Sequence, residues 1–518
     1  MKILFIDPMG DKESTGLNIG IAYCATSALR RGHIVSVLDF VNIRVDEPLK
    51  SIRDAVDAFK PDAIGISVTN MSFNNVKAYV KEMKKYFKGT VILGGPEVSA
   101  LKGKALELIP EADIAVIGEG ELTLVELLNA LDKKAALGPV KGLAWRNGRD
   151  ITINPPREFI GDLDSIEFPD YGVFGVDKMD VYPIVTTRGC PYGCVFCFSH
   201  LGKKWRARSP ENIIKEIRAA KERYGAKMFH VCDASFNVDI GRVEKFCRLL
   251  VEEKLDMPWV VQGFRADRMT EGLMQSLKDA NCRRIWVGIE TLEEDVFKKI
   301  NKGETIEQIR KGIALMKKHN IEIFGYMLMG LPGDTFKKTL RSFENARKLD
   351  LDLLAYASCV PFTGTGIERW AKDNAVMLAD AYNISSIGTR YGSIAYETKD
   401  FPLKERIKAR RILNIRSGSY NEPDMHPILF KIKKWLLILR YDYRNFFKRL
   451  KQSVSYRKNY RTSVDSINLR RGIYFTRLPD GKWGVSGDSR TVQEKPLPQK
   501  RYFLDLKRLT MSEVDAGE

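Results

Sequence analysis

Apolar and polar residues alternate along the first 140 positions in two interleaved periods. Apolar runs of strand length at 3–6, 34–38, 63–68, 91–93 and 114–117 are separated by stretches of helical length whose apolar residues recur on one face. Consecutive strands joined by helical crossovers run parallel, so the pattern predicts an N-terminal five-stranded, doubly wound (Rossmann-like) α/β domain over 1–140. Residues 141–181 read as a linker: G-L-A-W-R-N-G has a hairpin pattern, and N-P-P-R with later prolines punctuates the rest. A second series follows, with strand signals near 183–187, 228–232, 259–264, 284–289, 321–329 and 353–360. Helical stretches at 210–224, 242–253, 271–280, 305–318 and 334–349 separate them, and Ser209 before Pro210 supplies an N-cap and a first-turn proline. These units predict a partial (β/α)6 barrel within 182–400, followed by a basic, mainly helical C-terminal region over 401–518.

Charge separates that last region from the rest. The net charge is +18, but residues 401–518 hold 27 Lys and Arg against 12 Asp and Glu, while the first 400 hold 57 against 54. A near-neutral body with a basic tail points to an acidic partner of the tail: anionic lipid, nucleic acid or an acidic protein. Within 427–451, Ile428, Ile432, Trp435, Leu436, Leu439, Tyr443, Phe446, Phe447 and Leu450 share one helical arc, and the Lys and Arg residues lie outside it. Each cation near an anionic bilayer contributes about 1 kcal/mol, so the expected partner is a membrane surface, against the alternative of a helix docked on the barrel's open edge. Nucleic acid is disfavoured, because the tail carries no motif of an RNA-binding fold. No run approaches the roughly 20 apolar residues of a membrane span, and M-K-I-L-F-I-D-P reads as a first strand rather than a signal peptide. The expected location is cytoplasmic, peripheral at the inner face of the membrane.

Candidate chemistry sits at the predicted strand ends. Cys190, Cys194 and Cys197 form C-x3-C-x2-C on a short turn after the first barrel strand, a spacing that lets three thiolates meet one soft metal centre. Cys24, Cys232, Cys247, Cys282 and Cys359 are scattered like small core hydrophobes. In the first domain the loops at 7–17 and 69–74, G-G-P-E at 94–97 and G-E-G-E at 118–121 fall where a doubly wound sheet binds ligands. From the residues alone these glycines are either ligand loops or tight turns. Neither G-x-G-x-x-G nor G-x-x-x-x-G-K-[ST] is present, which disfavours nicotinamide and nucleoside triphosphate sites.

The pattern C-x3-C-x-aromatic-C, met by Cys190, Cys194, Phe196 and Cys197, together with the order of the barrel loops, resembles the radical SAM superfamily. G-I-A-Y at 20–23, R-G-H-I-V-S-V-L-D at 31–39, G-G-P-E-V at 94–98 and G-E-G-E at 118–121 resemble the cobalamin (B12)-binding domain that precedes the barrel in many of its members. The resemblance implies a [4Fe-4S] cluster on Cys190, Cys194 and Cys197, with an open iron site that chelates S-adenosyl-L-methionine (SAM). It implies SAM contacts from Phe196, Asp233, Arg265 and Glu290. Cobalamin contacts are implied for Ser67, Thr69, Asn70, Gly94, Gly95, Pro96, Gly118, Glu119, Gly120 and Glu121. The sequence lacks D-x-H-x-x-G, so the cobalt is expected without a protein histidine, with Thr69, Asn70 and Met71 nearest to face it. His33 is expected to be structural, and no general base is assigned.

The implied activity is methyl transfer from methylcobalamin to an unactivated carbon by way of a 5′-deoxyadenosyl radical. The alternatives are a radical SAM cyclase or rearrangement enzyme and, in a different class, a cobalamin- or iron-sulfur-binding sensor with a membrane- or RNA-binding tail. The expected partners are a small-molecule substrate, lipophilic if the tail is its guide, and an electron donor such as flavodoxin or ferredoxin.

Overall fold

The computed structural model describes residues 1–8, 16–42, 47–378 and 394–417, with Leu436 and four short strands within 474–514. Its first sheet holds β1 (Lys2–Asp7), β2 (Ile34–Asp39), β3 (Ala63–Ser67), β4 (Thr90–Gly94) and β5 (Ile114–Val116), parallel in the order β2-β1-β3-β4-β5. Its helices are α1 (Ile19–Arg30), α2 (Pro48–Phe59), α3 (Phe73–Met83), α4 (Pro96–Leu101), α5 (Lys104–Leu108) and α6 (Gly120–Asp132). Both faces are covered, which is why the strands read as unbroken apolar runs. On β1, Ile3 and Phe5 join the cluster containing residues of α1 and α6, whereas Leu4 and Ile6 join that of α2 and α3. The linker's hairpin, β6 (Leu143–Asn147) and β7 (Asp150–Ile153), extends this sheet, with β6 antiparallel to β5. A hairpin of Tyr474–Arg477 and Trp483–Ser486 lies antiparallel to β2 at the other edge.

The second sheet is wholly parallel, in the order β15-β14-β13-β12-β11-β8. Its strands are β8 (Val181–Ile184), β11 (Met228–Val231), β12 (Trp259–Phe264), β13 (Cys282–Glu290), β14 (Glu322–Met329) and β15 (Leu353–Ser358). A two-residue antiparallel ladder, β9 (Thr187–Arg188) with β10 (Arg206–Ala207), brackets the cysteine turn. The coat is α7 (Pro210–Tyr224), α8 (Ile240–Glu252), α9 (Glu271–Asp279), α10 (Glu294–Lys299), α11 (Ile306–Lys318), α12 (Phe336–Arg347) and α13 (Gly366–Asn374). Ser209 caps α7, its hydroxyl accepting from the Asn212 amide, and Gly225 ends it in the left-handed region. β8 and β15 are the sheet's two edges, so the barrel is partial. On β13, Ile285, Val287 and Ile289 are fully buried in the large core, and by alternation Arg284, Trp286, Gly288 and Glu290 face the concave side.

At the open edge, α14 (Leu403–Ser417) packs on β15 and α12. Its Arg406 is buried: Nε donates to the Phe401 carbonyl at 2.8 Å, and the guanidinium lies over the rings of Tyr396 and Phe401 at 4.5 and 4.8 Å. The first helix of the basic region is thus part of the barrel's coat. The amphipathic stretch 427–451 lies outside the described residues apart from Leu436. Among the described residues no helix is long and apolar enough to cross a membrane.

Candidate active site

The carboxyl ends of both sheets open into one cavity of about 510 Å³. From the first domain it is lined by Asn18, Ser67, Thr69, Gly94, Gly95, Pro96 and the turn from Gly118 through Glu121; from the barrel come Thr187, Arg188, His200, Leu201, Cys232 and Asp233. The first domain builds its share largely from backbone. A Cβ on Gly94 would project into open space, whereas at Gly95, with φ of 100°, it would stand 2.8 Å from the Val68 carbonyl. Asn18 caps α1 through the Ile21 amide and donates from Nδ2 to Asp7 at 2.8 Å and to the Ser67 hydroxyl at 3.2 Å. Burial, with the Asp39 charge added, pushes the Asp7 carboxyl up to about 7. Asn70 departs from expectation. It is buried in the 3-10 turn that Thr69 and Ser72 cap reciprocally, and it is not among the lining residues. Met71 in the same turn is 47% exposed, and His33 packs beside the Met1 amino group, 3.4 Å from its Nδ1.

Glu119 and Glu121 line the cavity, but their carboxylates are engaged elsewhere. Arg188 donates to Glu119 Oε1 at 2.9 Å and to Glu121 Oε1 at 2.6 Å; Arg206 reaches both Glu119 oxygens at 2.9 Å, and the Ile160 amide gives Glu119 Oε2 a further bond at 2.6 Å. All four side chains are at most 8% exposed. Both residues expected to serve cobalamin thus stand at the cavity with their carboxylates in ion pairs. Desolvated carboxylates need charged partners, and the partners here are the two arginines of the ladder beside the cysteine turn. The turn of one domain is thereby latched to the ladder of the other.

The cysteine turn is braced from four sides. The Cys190 amide donates to the Gly202 carbonyl at 3.1 Å, the Val195 amide to Ile300 at 3.0 Å and the Ile367 amide to Val195 at 2.8 Å. Arg265 supplies the fourth brace, with its guanidinium 3.6 Å from the Tyr192 ring centroid. Its N–H groups go to Asp267 and to the carbonyls of Lys302 and Gly303, at 2.8–3.0 Å. Arg265, expected to contact SAM, is thus a planar fork stacked on Tyr192 with donors engaged by Asp267 and two carbonyls, a geometry that positions the turn. Asp233, also expected to contact SAM, lines the cavity and is bonded within the chain. One oxygen accepts the amides of Thr186 (2.7 Å) and Thr187 (3.1 Å), and the other accepts their hydroxyls at 2.5 and 2.9 Å, which fills the carboxylate's four acceptor sites.

Glu290 keeps a site-like setting. It ends β13 at a register shift with φ of 63°, a strained conformation for a residue other than glycine. Burial raises its pKa against the pull of Lys302, whose ammonium lies 3.8 Å away. Lys302 also bonds the Gly288 carbonyl and stands 2.6 Å from Glu304 Oε1, close enough for an ion pair though off hydrogen-bond direction. Burial pushes the Cys194 thiol up to about 11, with Lys302 opposing it and Glu290 and the other two thiols adding to it. Phe196 is partly buried against the core. The three cysteines are free thiols on one turn. Among the described residues no three His, Cys, Asp or Glu side chains already stand in metal-holding geometry. Arg188, Arg206, Lys302, Glu304 and Tyr192 escape sequence reasoning; only Arg188 and Tyr192 carry a signal, by adjacency to the cysteines.

Comparison with known proteins agrees with this architecture. Residues 184–346 match the model of the Radical SAM superfamily and residues 10–128 that of the B12 binding domain. An uncharacterized methyltransferase of Pyrococcus horikoshii is 30% identical over 392 residues, 73% of this chain and 84% of the relative. An anaerobic magnesium-protoporphyrin IX monomethyl ester cyclase of Rubrivivax gelatinosus is 24% identical over 384 residues, covering 70% and 68%. Among solved structures, the radical S-adenosylmethionine methyltransferase TsrM of Kitasatospora setae superposes with a TM-score of 0.68 at 17% identity, over 88% of this chain and 99% of that one. The chain belongs to the cobalamin-dependent radical SAM family. Its cofactors are those of the family: a [4Fe-4S] cluster, SAM and cobalamin.

Proposed function

We propose that the protein is a cobalamin-dependent radical SAM methyltransferase that methylates an unactivated carbon of a small molecule. One observation carries the reading: a single cavity is walled on one side by the glycine loops of the B12-binding domain and on the other by Thr187, Arg188, His200 and Leu201, which flank the cysteine turn. The residues fit the groups. Three free thiols on a braced turn are a donor set for an iron-sulfur cluster, and Cys190, Cys194 and Cys197 would hold it. The open space at Gly94 and at Gly118 is where a large flat cofactor can approach backbone, with Ser67, Thr69, Gly95, Pro96 and Gly120 completing that wall. Glu290 and Lys302 offer SAM its polar contacts. When bound, the cluster with SAM supplies radical generation and the cobalamin supplies a transferable methyl group.

The protein's own task is positioning and exclusion of water. Asp233 fixes Thr186 and Thr187, the ladder carries that order to Arg188, and the latch sets the distance between the two walls. Arg265 holds Tyr192, so the turn presents its thiols from one orientation. Anaerobic reconstitution with iron, sulfide and cobalamin, then reduction with SAM and candidate substrates, tests the reading by product mass. A gain of one methyl supports it, and an isomer or dehydrogenated product transfers it to the cyclase class. An external one-electron donor of flavodoxin or ferredoxin type, and an anionic membrane as partner of 427–451, belong to the same proposal. Flotation with anionic liposomes checks the latter; binding that survives deletion of 427–451 would refute it.

A further inference from the structure

The concave face of the barrel sheet carries a feature that neither the cofactors nor the latch uses. In a parallel sheet, paired residues share a face: His230 pairs with Val260 and Val260 with Arg284, while Trp286, two residues further along β13, pairs with Phe324, so His230, Trp286 and Phe324 form an aromatic tier on one side of β11 to β14. Trp286 stands against His230 at a centroid distance of 4.6 Å and edge-on to Phe324 at 6.0 Å. Below this tier Arg284 lies over the Phe324 ring at 4.1 Å and pairs with Glu322 at 2.6 Å, which closes the floor. Above it Gly288 has no side chain, and Glu290 and Lys302 fold in over the strand as a polar roof. Tyr326, paired with Gly288, is 42% exposed on the same side, so this face reaches solvent next to the tier.

Within this aromatic tier Trp286 Nε1 and His230 Nε2 are both buried and without a hydrogen-bond partner. An indole N–H is a donor only, and leaving it unmet costs about 1–3 kcal/mol, so two adjacent orphan groups call for a ligand. Burial and the Arg284 charge lower His230 to about 4, which keeps its ring neutral and compatible with an aromatic neighbour.

We infer that this tier is the substrate subsite, and that it takes a flat conjugated ring whose hydrogen-bond acceptor is met by Trp286 Nε1. The inference rests on the function proposed above, since it places the reacting molecule beneath the roof that holds SAM. Coumarin, a flat ring with a carbonyl acceptor, naphthalene, which lacks the acceptor, and cyclohexanone, which lacks the conjugation, are titrated into reconstituted full-length protein by ligand-observed NMR. Coumarin is expected to bind in the roughly millimolar range and more tightly than either control. Trp286→Phe should weaken coumarin about three- to tenfold and leave naphthalene unchanged.

Equal loss of both aromatic probes, no coumarin binding at that level, or coumarin binding indifferent to the substitution would overturn the subsite, the last leaving the indole a water ligand only. If Trp286→Phe fails to fold, Phe324→Leu tests the same tier: both aromatic probes should weaken and cyclohexanone should not, and the reverse refutes it. Iron and cobalamin contents of the same preparations keep the two readings apart. Their loss from wild-type protein sinks the function, whereas failed probe discrimination with both contents intact sinks only the subsite.

Discussion

Two parallel sheets end at the same cavity, yet they build their walls in opposite ways. The first domain uses backbone: Gly94, Gly95, Gly118 and Gly120 bring main chain to the surface, and the Glu119 and Glu121 carboxylates that line it are paired in the latch. The barrel uses side chains: Arg188, His200 and Asp233 line the cavity, and beside it stand the three free thiols, the stacked Arg265 and the Glu290–Lys302 pair. The difference teaches that one sheet recognises by shape and the other by donor atoms. Added bulk should therefore hurt the first wall, and deleted side-chain atoms the second.

The largest expected effect is that of Cys194→Ala: iron and sulfide content and the cluster's visible absorption should fall to background, while cobalamin affinity changes less than about twofold. A parallel loss of cobalamin would erase the distinction. Next comes Arg188→Met at the point where the walls join. It leaves Glu119 and Glu121 buried with one guanidinium fewer, at a cost of roughly 3–5 kcal/mol, and should lower the melting temperature together with iron and cobalamin retention. Retention of either cofactor at wild-type level would show that the latch serves only one domain.

Gly94→Val directs its side chain into the open cavity, and at about 1–3 kcal/mol of overpacking should weaken cobalamin roughly ten- to a hundredfold with iron content intact. Spectral titration checks this, and undiminished affinity would move the cofactor off that wall. The smallest expected effect at neutral pH concerns Asp7. Its folded pKa of about 7 lies above its ordinary 3.8, so the folded state binds the proton more tightly. Its contribution to stability is full below about pH 4 and is lost as pH rises toward 7. Asp7→Asn should flatten the pH dependence of stability across that window by an amount on the order of 4 kcal/mol, read from melting curves between pH 4 and 7. An unaltered slope would assign the titration to other groups, Asp334 first, which burial raises to about 6.

Much of the architecture is legible along the chain because it rests on local periodicity. The apolar runs located the first sheet, and the strand order of the barrel followed from six repeats of one unit. The cysteine turn was legible because its ligands lie within eight residues of one another, whereas the partners of Glu119 lie 69 and 87 positions away. G-E-G-E as a string is equally compatible with solvated acids, ligand contacts and buried ion pairs. The partners of Asp233 and Arg265 were illegible for the same reason: Thr186 with Thr187 and Tyr192 with Lys302 are distant in the chain and meet them only in the fold.

By itself the sequence determined the two α/β units, the position of the thiols at a strand end and the glycine loops facing them, because spacing and side-chain chemistry are properties of the chain. The tertiary structure alone decided which acids are spent on holding the domains together, which arginine braces the turn and where two aromatic nitrogens are left without partners. Those are properties of burial: a charge or an N–H acquires its role only when folding removes water from it and fixes which neighbour replaces that water.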